Sequence, residues 1–242
     1  MSRHDYWTYR TEDGTTPAEY GVWSGTSAPA LAAHFHDEGQ LTMVLSGSRK
    51  FEAGTQVLQV NAGQCLCIPP GLPHRSLPHS HPGTRCLNIY YPPSHAPQLP
   101  AVPDIRNIKP DANGLDVTSL LQAAADHFYS TPLNMPAIAP LPWLQEFRSS
   151  LESIGAIALS AGLSREAFSR NFTRDVGMSP HAYRIVSRLN AARRQLRDGV
   201  AVAATVADLG FADQSHFGRH FFRVFGITPR AYRDSMQQSQ TF

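Results

Sequence analysis

The feature that most constrains the fold is an internal repeat in the C-terminal part of the chain. GLSREAFSRNFTRDVGMSPHAY (162–183) and GFADQSHFGRHFFRVFGITPRAY (210–232) carry the same kinds of residue in the same order. A match this detailed indicates one structural unit that is built twice. The residues that recur after 49 positions are Phe168, Arg170, Phe172, Gly177, Pro180 and Tyr183, which become Phe217, Arg219, Phe221, Gly226, Pro229 and Tyr232.

Each copy has the residues of a helix-turn-helix. Gly162 and Gly210 suit the left-handed turn that ends a first helix, and Ser164 and Asp213 are good N-caps for a second. The Phe pairs at i and i+4 share one helix face, which predicts burial against the preceding helix.

Polar side chains lie on the remaining faces of the second helix of each unit. In the major groove, Arg pairs with guanine and Gln with adenine, so these faces suit DNA contact. The predicted DNA-contacting residues are Arg165, Glu166, Ser169 and Arg170 in the first unit, and Gln214, Ser215, His216 and Arg219 in the second.

A single helix is predicted between the units, over residues 183–197. Ile185, Leu189, Ala192 and Leu196 recur on its inward face. At 1.5 Å per residue the helix spans roughly 22 Å. Such a stiff spacer would hold two recognition helices near one turn of DNA apart, about 34 Å.

The two parts of the chain differ in charge. Residues 151–242 hold 12 Arg, no Lys and 7 acidic residues, a net charge of +5, whereas residues 1–150 hold 9 basic and 12 acidic residues, a net charge of −3. A basic C-terminal part suggests a polyanionic partner. Ordinary surface variation is the alternative that charge alone leaves open.

Short alternating segments between Gly, Pro and Asn residues fill the region 21–91. They include ALAAHFH, QLTMVLSG, TQVLQVNAG, QCLCIPPG and RCLNIYYP, and this pattern predicts the strands of a sandwich or barrel. Pro-rich connectors follow at 92–110 and 131–142. Between them, residues 116–130 have an apolar stripe at helical spacing that would pack on the barrel or on a second copy of itself.

Histidines stand out in the predicted barrel. His34 and His36 alternate on a predicted strand, Gln40 follows, and His74 closes the segment GQCLCIPPGLPH. Imidazoles at this spacing can bind a divalent transition metal, for which a Gln carbonyl is a weak neutral ligand. Alternatively the four side chains line a pocket for an organic effector, or they are satisfied polar groups of the core.

The repeat resembles the two helix-turn-helix units of the AraC/XylS family of bacterial transcription regulators, over residues 143–235. By that resemblance, the eight polar residues named above fall where family members contact DNA. Residues 25–91 resemble the two cupin motifs and the effector-binding domain usual in AraC-type regulators. In metal cupins two His, a Glu and a last His converge on one ion. Here Gln40 replaces the Glu, and Pro78 stands where a final Asn would be.

We therefore expect a two-domain α+β protein, with an N-terminal cupin-like β-barrel of jelly-roll type and a C-terminal all-α double helix-turn-helix. The predicted boundaries are 1–100 for the effector-binding barrel, 101–142 for a linker with a dimerisation helix at 116–130, and 143–242 for the DNA-binding domain.

No apolar run reaches membrane-spanning length, and the N-terminus lacks the apolar segment of a secretory signal. Three cysteines cannot all pair within one chain, which favours a reduced, cytoplasmic protein.

The expected function is sequence-specific transcription regulation and not catalysis. A small-molecule effector would bind at His34, His36, Gln40 and His74, and a divalent metal on His34, His36 and His74 is the candidate cofactor. The expected partners are double-stranded DNA, the effector, a second copy of the chain in a homodimer and, for an activator, RNA polymerase. The alternative is a metal-dependent cupin enzyme with an accessory helical domain, which metal content and turnover would distinguish.

Overall fold

The computed structural model describes residues 6–12, 18–25, 31–54, 56–78, 83–91, 104–107 and 142–239. Within these ranges all strands precede all helices, so the predicted two-domain α+β class is confirmed. The helix predicted at 116–130 lies outside the described residues.

The N-terminal domain consists of two antiparallel sheets. A six-stranded sheet has the order β1-β2-β8-β3-β6-β9, and a three-stranded sheet has the order β5-β4-β7. The last strand of the larger sheet pairs with β6 although it lies in the stretch predicted as linker. The strands are β1 (Tyr6–Glu12), β2 (Ala18–Gly25), β3 (Gly39–Ser46), β4 (Ser48–Ala53), β5 (Gln56–Asn61), β6 (Gln64–Ile68), β7 (His74–Leu77), β8 (Thr84–Tyr91) and β9 (Asp104–Asn107).

One predicted strand is wrong. The segment ALAAHFH forms no strand over its described residues 31–36, and only His34 makes an isolated bridge, to His74. The reason lies in the other domain. The backbone N–H of Ala32 donates to the carbonyl of Arg223 at 2.9 Å, so this segment is held partly by a helix and only partly by strand β7.

The C-terminal domain is helical. Its helices are α1 (Pro142–Ser149), α2 (Ile154–Ser160), α3 (Arg165–Val176), α4 (Pro180–Arg197), α5 (Val202–Asp208), α6 (Gln214–Phe225) and α7 (Pro229–Ser239). Both predicted N-caps form: Ser164 accepts from the N–H of Ala167 and Asp213 from that of His216. The spacer helix α4 begins earlier than predicted because Ser179 caps it and Pro180 occupies its first position. Its 18 residues span about 27 Å.

The apolar stripes predicted for the helices form the core of this domain. All four residues of the inward stripe of α4 are buried, from Ile185 to Leu196. Phe172, Phe217 and Phe221 are buried as well, whereas Phe168 is only partly covered and packs at the edge of the core. The repeated Phe spacing therefore encodes the packing of each helix-turn-helix.

The two domains share one continuous core. Helix α7 lies against strand β1, and the Tyr9 ring meets the Tyr232 ring edge-on with centroids 5.4 Å apart. Trp7 belongs to the same cluster as Phe225. The helical domain is thus docked on the barrel through buried aromatic side chains. The predicted division into domains at residue 143 gave no indication of this contact.

Candidate functional site

The recognition helices α3 and α6 present most of the predicted DNA-contacting side chains to solvent. Ser169 is half-buried, and so is His216, whose ring lies against Phe211 and whose Nε2 is 3.1 Å from Nε2 of His220. The exposed members of the set are Arg165, Glu166, Arg170, Gln214, Ser215 and Arg219.

The spacer helix α4 braces both units with arginines that the sequence did not single out. The Arg188 guanidinium donates to the carbonyl of Gly210 at 3.1 Å and stacks over the Phe211 ring, at the turn of the second unit. Arg184 stacks over Phe147 and donates to backbone carbonyls before the first unit. Part of the positive charge therefore holds the second turn, and the segment before the first unit, against α4.

The predicted effector site is brought together on the barrel. The ring of His34 lies 4.4 Å from that of His74 and 4.8 Å from that of His36, centroid to centroid. One ring nitrogen from each of the three lies within 4.8 Å of the others. Gln40 is buried with them, and its Nε2 donates to Oγ1 of Thr42 at 2.8 Å.

Several polar atoms of this His-lined centre have no hydrogen-bond partner among the described residues. They are Nε2 of His36, Nε2 of His74 and Oε1 of Gln40. Buried polar atoms are normally paired, so orphaned atoms that face one another suggest a place for a ligand. Imidazole nitrogens are good ligands for a divalent transition metal, and the donor set therefore fits the ion that the cupin motifs imply.

Burial keeps the three imidazoles neutral. Loss of hydration lowers the pKa of His34 and His36 well below the usual value, and lowers that of His74 to about 4. The positive charge of Arg193 acts in the same direction on His34 and His36. Neutral imidazole is the form that hydrogen-bonds as both donor and acceptor and that binds metals.

Arg193 from α4 reaches this centre across the domain interface. Its Nε and Nη2 donate to Oε1 of Glu19 on β2, at 3.0 and 2.6 Å, while its Nη1 lies 3.2 Å from Nδ1 of His36. Tyr232 donates to the other oxygen of Glu19 at 2.8 Å. Burial and the Glu19 charge raise the pKa of Tyr232, so the phenol stays protonated as the donor. The guanidinium also lies 4.0 Å above the Tyr90 ring.

The segment 31–38 joins the His-lined centre to the helical domain. His34 and His36 belong to the centre, whereas Phe35 between them stacks on Tyr183 at 4.5 Å and accepts a hydrogen bond from Asn190. Asp37 pairs with two arginines of the helical domain, Arg148 and Arg194. The segment that carries the histidines therefore contacts both α1 and α4 directly.

Sequence reasoning missed these interface residues for an identifiable reason. Glu19 and Arg193 are 174 positions apart, and a pairing at that distance leaves no periodic signal in the chain. The sequence offers one sign, which is that Asn190 and Arg193 follow directly after members of the apolar stripe of α4. In the structure both are buried, at 2% and 1% exposure. Buried polar residues on a spacer helix imply a polar partner, and the barrel supplies it.

The comparisons with known proteins agree with this architecture. Residues 16–128 match the AraC-like ligand binding domain, and residues 157–235 match a helix-turn-helix domain. The HTH-type transcriptional regulator Rv1931c of Mycobacterium tuberculosis is 32% identical over 127 residues, which are 42% of this chain and 49% of that protein. The transcriptional regulator YobQ of Bacillus subtilis is 24% identical over 84% of this chain and 89% of its own.

Solved structures show the same fold. ToxT from Vibrio cholerae O395 superimposes with a TM-score of 0.58 at 10% identity, over 90% of this chain and 98% of that chain. Against several curated relatives the match is shorter: this chain spans 49% of Rv1931c and 27% of a putative AraC-like regulator of Streptomyces lividans. No helix among the described residues is both long and apolar enough to span a bilayer.

A barrel of the ligand-binding type joined to a double helix-turn-helix defines a class of two-domain transcription regulator. The two matched domains, in this order, place the chain in the AraC family, as the repeat in its sequence predicted.

Proposed function

We propose that this protein is a sequence-specific DNA-binding transcription regulator whose helical domain is controlled by a small-molecule effector bound in the barrel. The observation that carries the proposal is the pair of helix-turn-helix units braced on one rigid helix, each with an exposed polar face. A bundle without a DNA partner has no packing reason to repeat its caps, turns and outward arginines.

Arg170 and Arg219 are the strongest candidates for base contact. They occupy equivalent positions of the two recognition helices and both are exposed. A guanidinium can donate two hydrogen bonds to one guanine edge, which discriminates bases by about 1–3 kcal/mol. The other six predicted residues would add contacts to bases or phosphates around these two arginines.

Control by the effector would run through the segment 31–38. A ligand that contacts His34 or His36 acts on the same short segment that holds Tyr183 and Asn190 through Phe35. The ligand shifts the docking equilibrium by the difference between its affinities for the docked and undocked forms. Docking in turn sets the freedom of the two units to fit adjacent major grooves.

The chemistry of the His-lined centre suggests what kind of effector suits the docked form. Arg193 can only donate, so Nδ1 of His36 accepts and its proton resides on Nε2. Nε2 of His74 and Oε1 of Gln40 are free acceptors. One donor and two acceptors suit a small organic molecule with hydroxyl or amine groups. ToxT has been crystallised with an unsaturated fatty acid, but at 12% identity it supports the fold and not that ligand here.

The enzyme alternative, a metal-dependent cupin with an accessory helical domain, is less well supported. The curated relatives are transcriptional regulators. Turnover of a substrate by the purified protein with metal would favour the enzyme.

Homodimerisation through residues 116–130, contact with RNA polymerase by an activator, and a cytoplasmic location complete the proposal. The dimerisation helix lies outside the described residues and stays a prediction from its apolar stripe.

The test is selection of genomic DNA fragments by the purified full chain, followed by sequencing of the bound fragments. We expect enrichment of a few sites, each with two conserved segments about one helical turn apart. Binding to those sites should weaken steeply with salt because phosphate contacts release counterions. Uniform binding without enrichment, with and without added cell metabolites, would contradict sequence-specific recognition.

A further inference from the structure

The three imidazoles of the His-lined centre are not held in the same way. Nδ1 of His34 donates to the carbonyl of Ala32 at 2.6 Å, and Nδ1 of His74 donates to the carbonyl of Leu72 at 2.9 Å. A carbonyl only accepts, so both rings carry their proton on Nδ1 and have a lone pair on Nε2. Metal-binding histidines are oriented in this way by an outer hydrogen bond.

His36 has the opposite tautomer in the docked form. Its Nδ1 accepts from Nη1 of Arg193 at 3.2 Å, and a guanidinium has no acceptor to offer. The neutral ring therefore carries its proton on Nε2. In this form Nε2 of His36 has no lone pair for a metal, although the ring lies beside the other two.

The two arrangements of His36 cannot exist together. If Nε2 binds a metal ion, the proton must reside on Nδ1, where it points at the N–H of Arg193. Two donors would then face each other in a buried site, which is unfavourable because neither has an acceptor there. Arg193 must withdraw from His36 for the third ligand to form.

We propose that Zn²⁺ binding by His34, His36 and His74 and the docking of the helical domain through Arg193 exclude one another. Three neutral imidazoles with an open fourth position form a familiar zinc ligand set. A tetrahedral ion with bonds of about 2.0–2.1 Å holds its nitrogens about 3.4 Å apart. The candidate atoms lie within 4.8 Å of one another, so a contraction of at most about 1.4 Å suffices.

Release of Arg193 would loosen more than one contact. The same guanidinium holds Glu19, which also accepts from Tyr232 on α7. Zinc would therefore weaken the docking of the second helix-turn-helix on the barrel. An organic effector that accepts from Nε2 of His36 is, by contrast, compatible with docking. That undocking changes DNA binding rests on the proposed function, but the competition between zinc and Arg193 does not.

Linkage makes the competition measurable from the zinc side. If zinc weakens docking, weaker docking must strengthen zinc binding by the same factor. Arg193→Lys is the informative variant, because a single ammonium retains a charge for Glu19 but loses the fork that reaches His36 at the same time. Arg193→Met combined with Glu19→Gln is a second variant that leaves no unpaired buried charge.

The experiment is calorimetric titration of the metal-free full chain with Zn²⁺, together with hydrogen exchange of the same samples, in the absence of DNA. We expect Arg193→Lys to bind zinc at least tenfold more tightly than the natural chain, and His74→Ala to lose the site. In the natural chain, zinc should speed exchange of the Ala32 amide and of α7.

Three results would overturn the proposal: equal zinc affinity in the natural chain and in both Arg193 variants, zinc binding that survives His74→Ala, or zinc binding without faster exchange at the interface. Because no DNA is present, these results are independent of fragment selection. A chain that fails to select DNA sites can still show the competition, and a sequence-specific regulator can lack it.

Discussion

The two helix-turn-helix units are built alike but stand on different supports. In the first unit, Pro73 is the one described residue near the position of a β-carbon on the C-cap Gly177, at 3.8 Å, and Tyr183 stacks on Phe35. In the second, a β-carbon on Gly226 would lie 2.5 Å from Trp7, and Tyr232 donates to Glu19. The first unit thus meets the barrel through apolar contacts alone at these two positions, whereas the second meets it through a closer packing contact at Gly226 and a hydrogen bond at Tyr232.

This difference teaches which unit the barrel can control more tightly. Apolar stacking tolerates small displacements, whereas a buried ion pair with an additional hydrogen bond depends on geometry and is lost as a whole. We infer that the second unit depends more on a single polar contact, the one with Glu19, whereas the first unit is linked to the His-lined centre through Phe35 and Tyr183. Substitutions at equivalent positions test the inference directly.

The largest contrast is expected at the C-cap glycines. Gly226→Ala should lower the free energy of unfolding by about 2–5 kcal/mol, because left-handed strain of about 1–2 kcal/mol adds to overpacking of about 1–3 kcal/mol against Trp7. Gly177→Ala carries only the strain, since its φ of 85° is equally left-handed. Urea denaturation of both variants measures the difference. Equal midpoints would show that the Trp7 side chain moves aside without loss of stability.

The next contrast concerns the paired tyrosines. Tyr232→Phe removes a hydrogen bond to a carboxylate, for which a loss of about 1.5–3 kcal/mol is expected. Tyr183→Phe should cost less, because Tyr183 contacts Phe35 through its ring, which the substitution keeps. Thermal and urea unfolding of the two variants provide the comparison. A larger loss from Tyr183→Phe would reverse the assignment of the more tightly held unit.

The recognition arginines test whether both units bind DNA. Arg170→Ala and Arg219→Ala should each weaken binding to a selected site by about 1–3 kcal/mol with the fold intact. Arg174→Ala is the matched control, since Arg174 is 70% exposed near the end of α3 and pairs with Asp175. Titration of labelled DNA at fixed salt measures the effect. Unchanged affinity in both test variants would reject the proposed faces.

The smallest contrast lies in the N-caps. Ser164→Ala should cost about 0.5–2 kcal/mol near neutral pH. A hydrogen bond of its own backbone and one from the Ser164 hydroxyl lower the pKa of Glu166, so part of this cost depends on the Glu166 charge. The backbone hydrogen bond from His216 lowers the pKa of Asp213, so this cap stabilises the fold above the unfolded-state pKa of about 3.9 and loses its effect as the pH falls below it.

Urea midpoints at pH 6 and pH 3.5 separate the two caps. The difference in urea midpoint between the natural chain and Asp213→Ser should shrink at the lower pH, whereas Ser164→Ala keeps the part of its effect that comes from the hydroxyl accepting from the N–H of Ala167. A constant difference for Asp213→Ser would mean that its charge contributes nothing to the cap.

Local features of the helical domain were predictable because they depend on neighbours in the chain. Ser164 and Asp213 cap their helices as expected, and the stripe from Ile185 to Leu196 is buried as expected. The histidine cluster was also predicted, since the spacing of the cupin motifs fixes which strands and turns bring its members together. The strand predicted at ALAAHFH does not form, because the backbone N–H of Ala32 donates to the carbonyl of Arg223 in α6.

What the sequence by itself determined was therefore the repeat, its caps and turns, the family and the members of the histidine cluster. Only the tertiary structure decided that the side chain of Arg193 extends from the spacer helix to pair with Glu19 and to set the tautomer of His36. The physical reason is that caps and stripes are selected by contacts within a few residues. An ion pair between domains depends on how two independently patterned surfaces meet, and no local preference of Glu or Arg specifies that meeting.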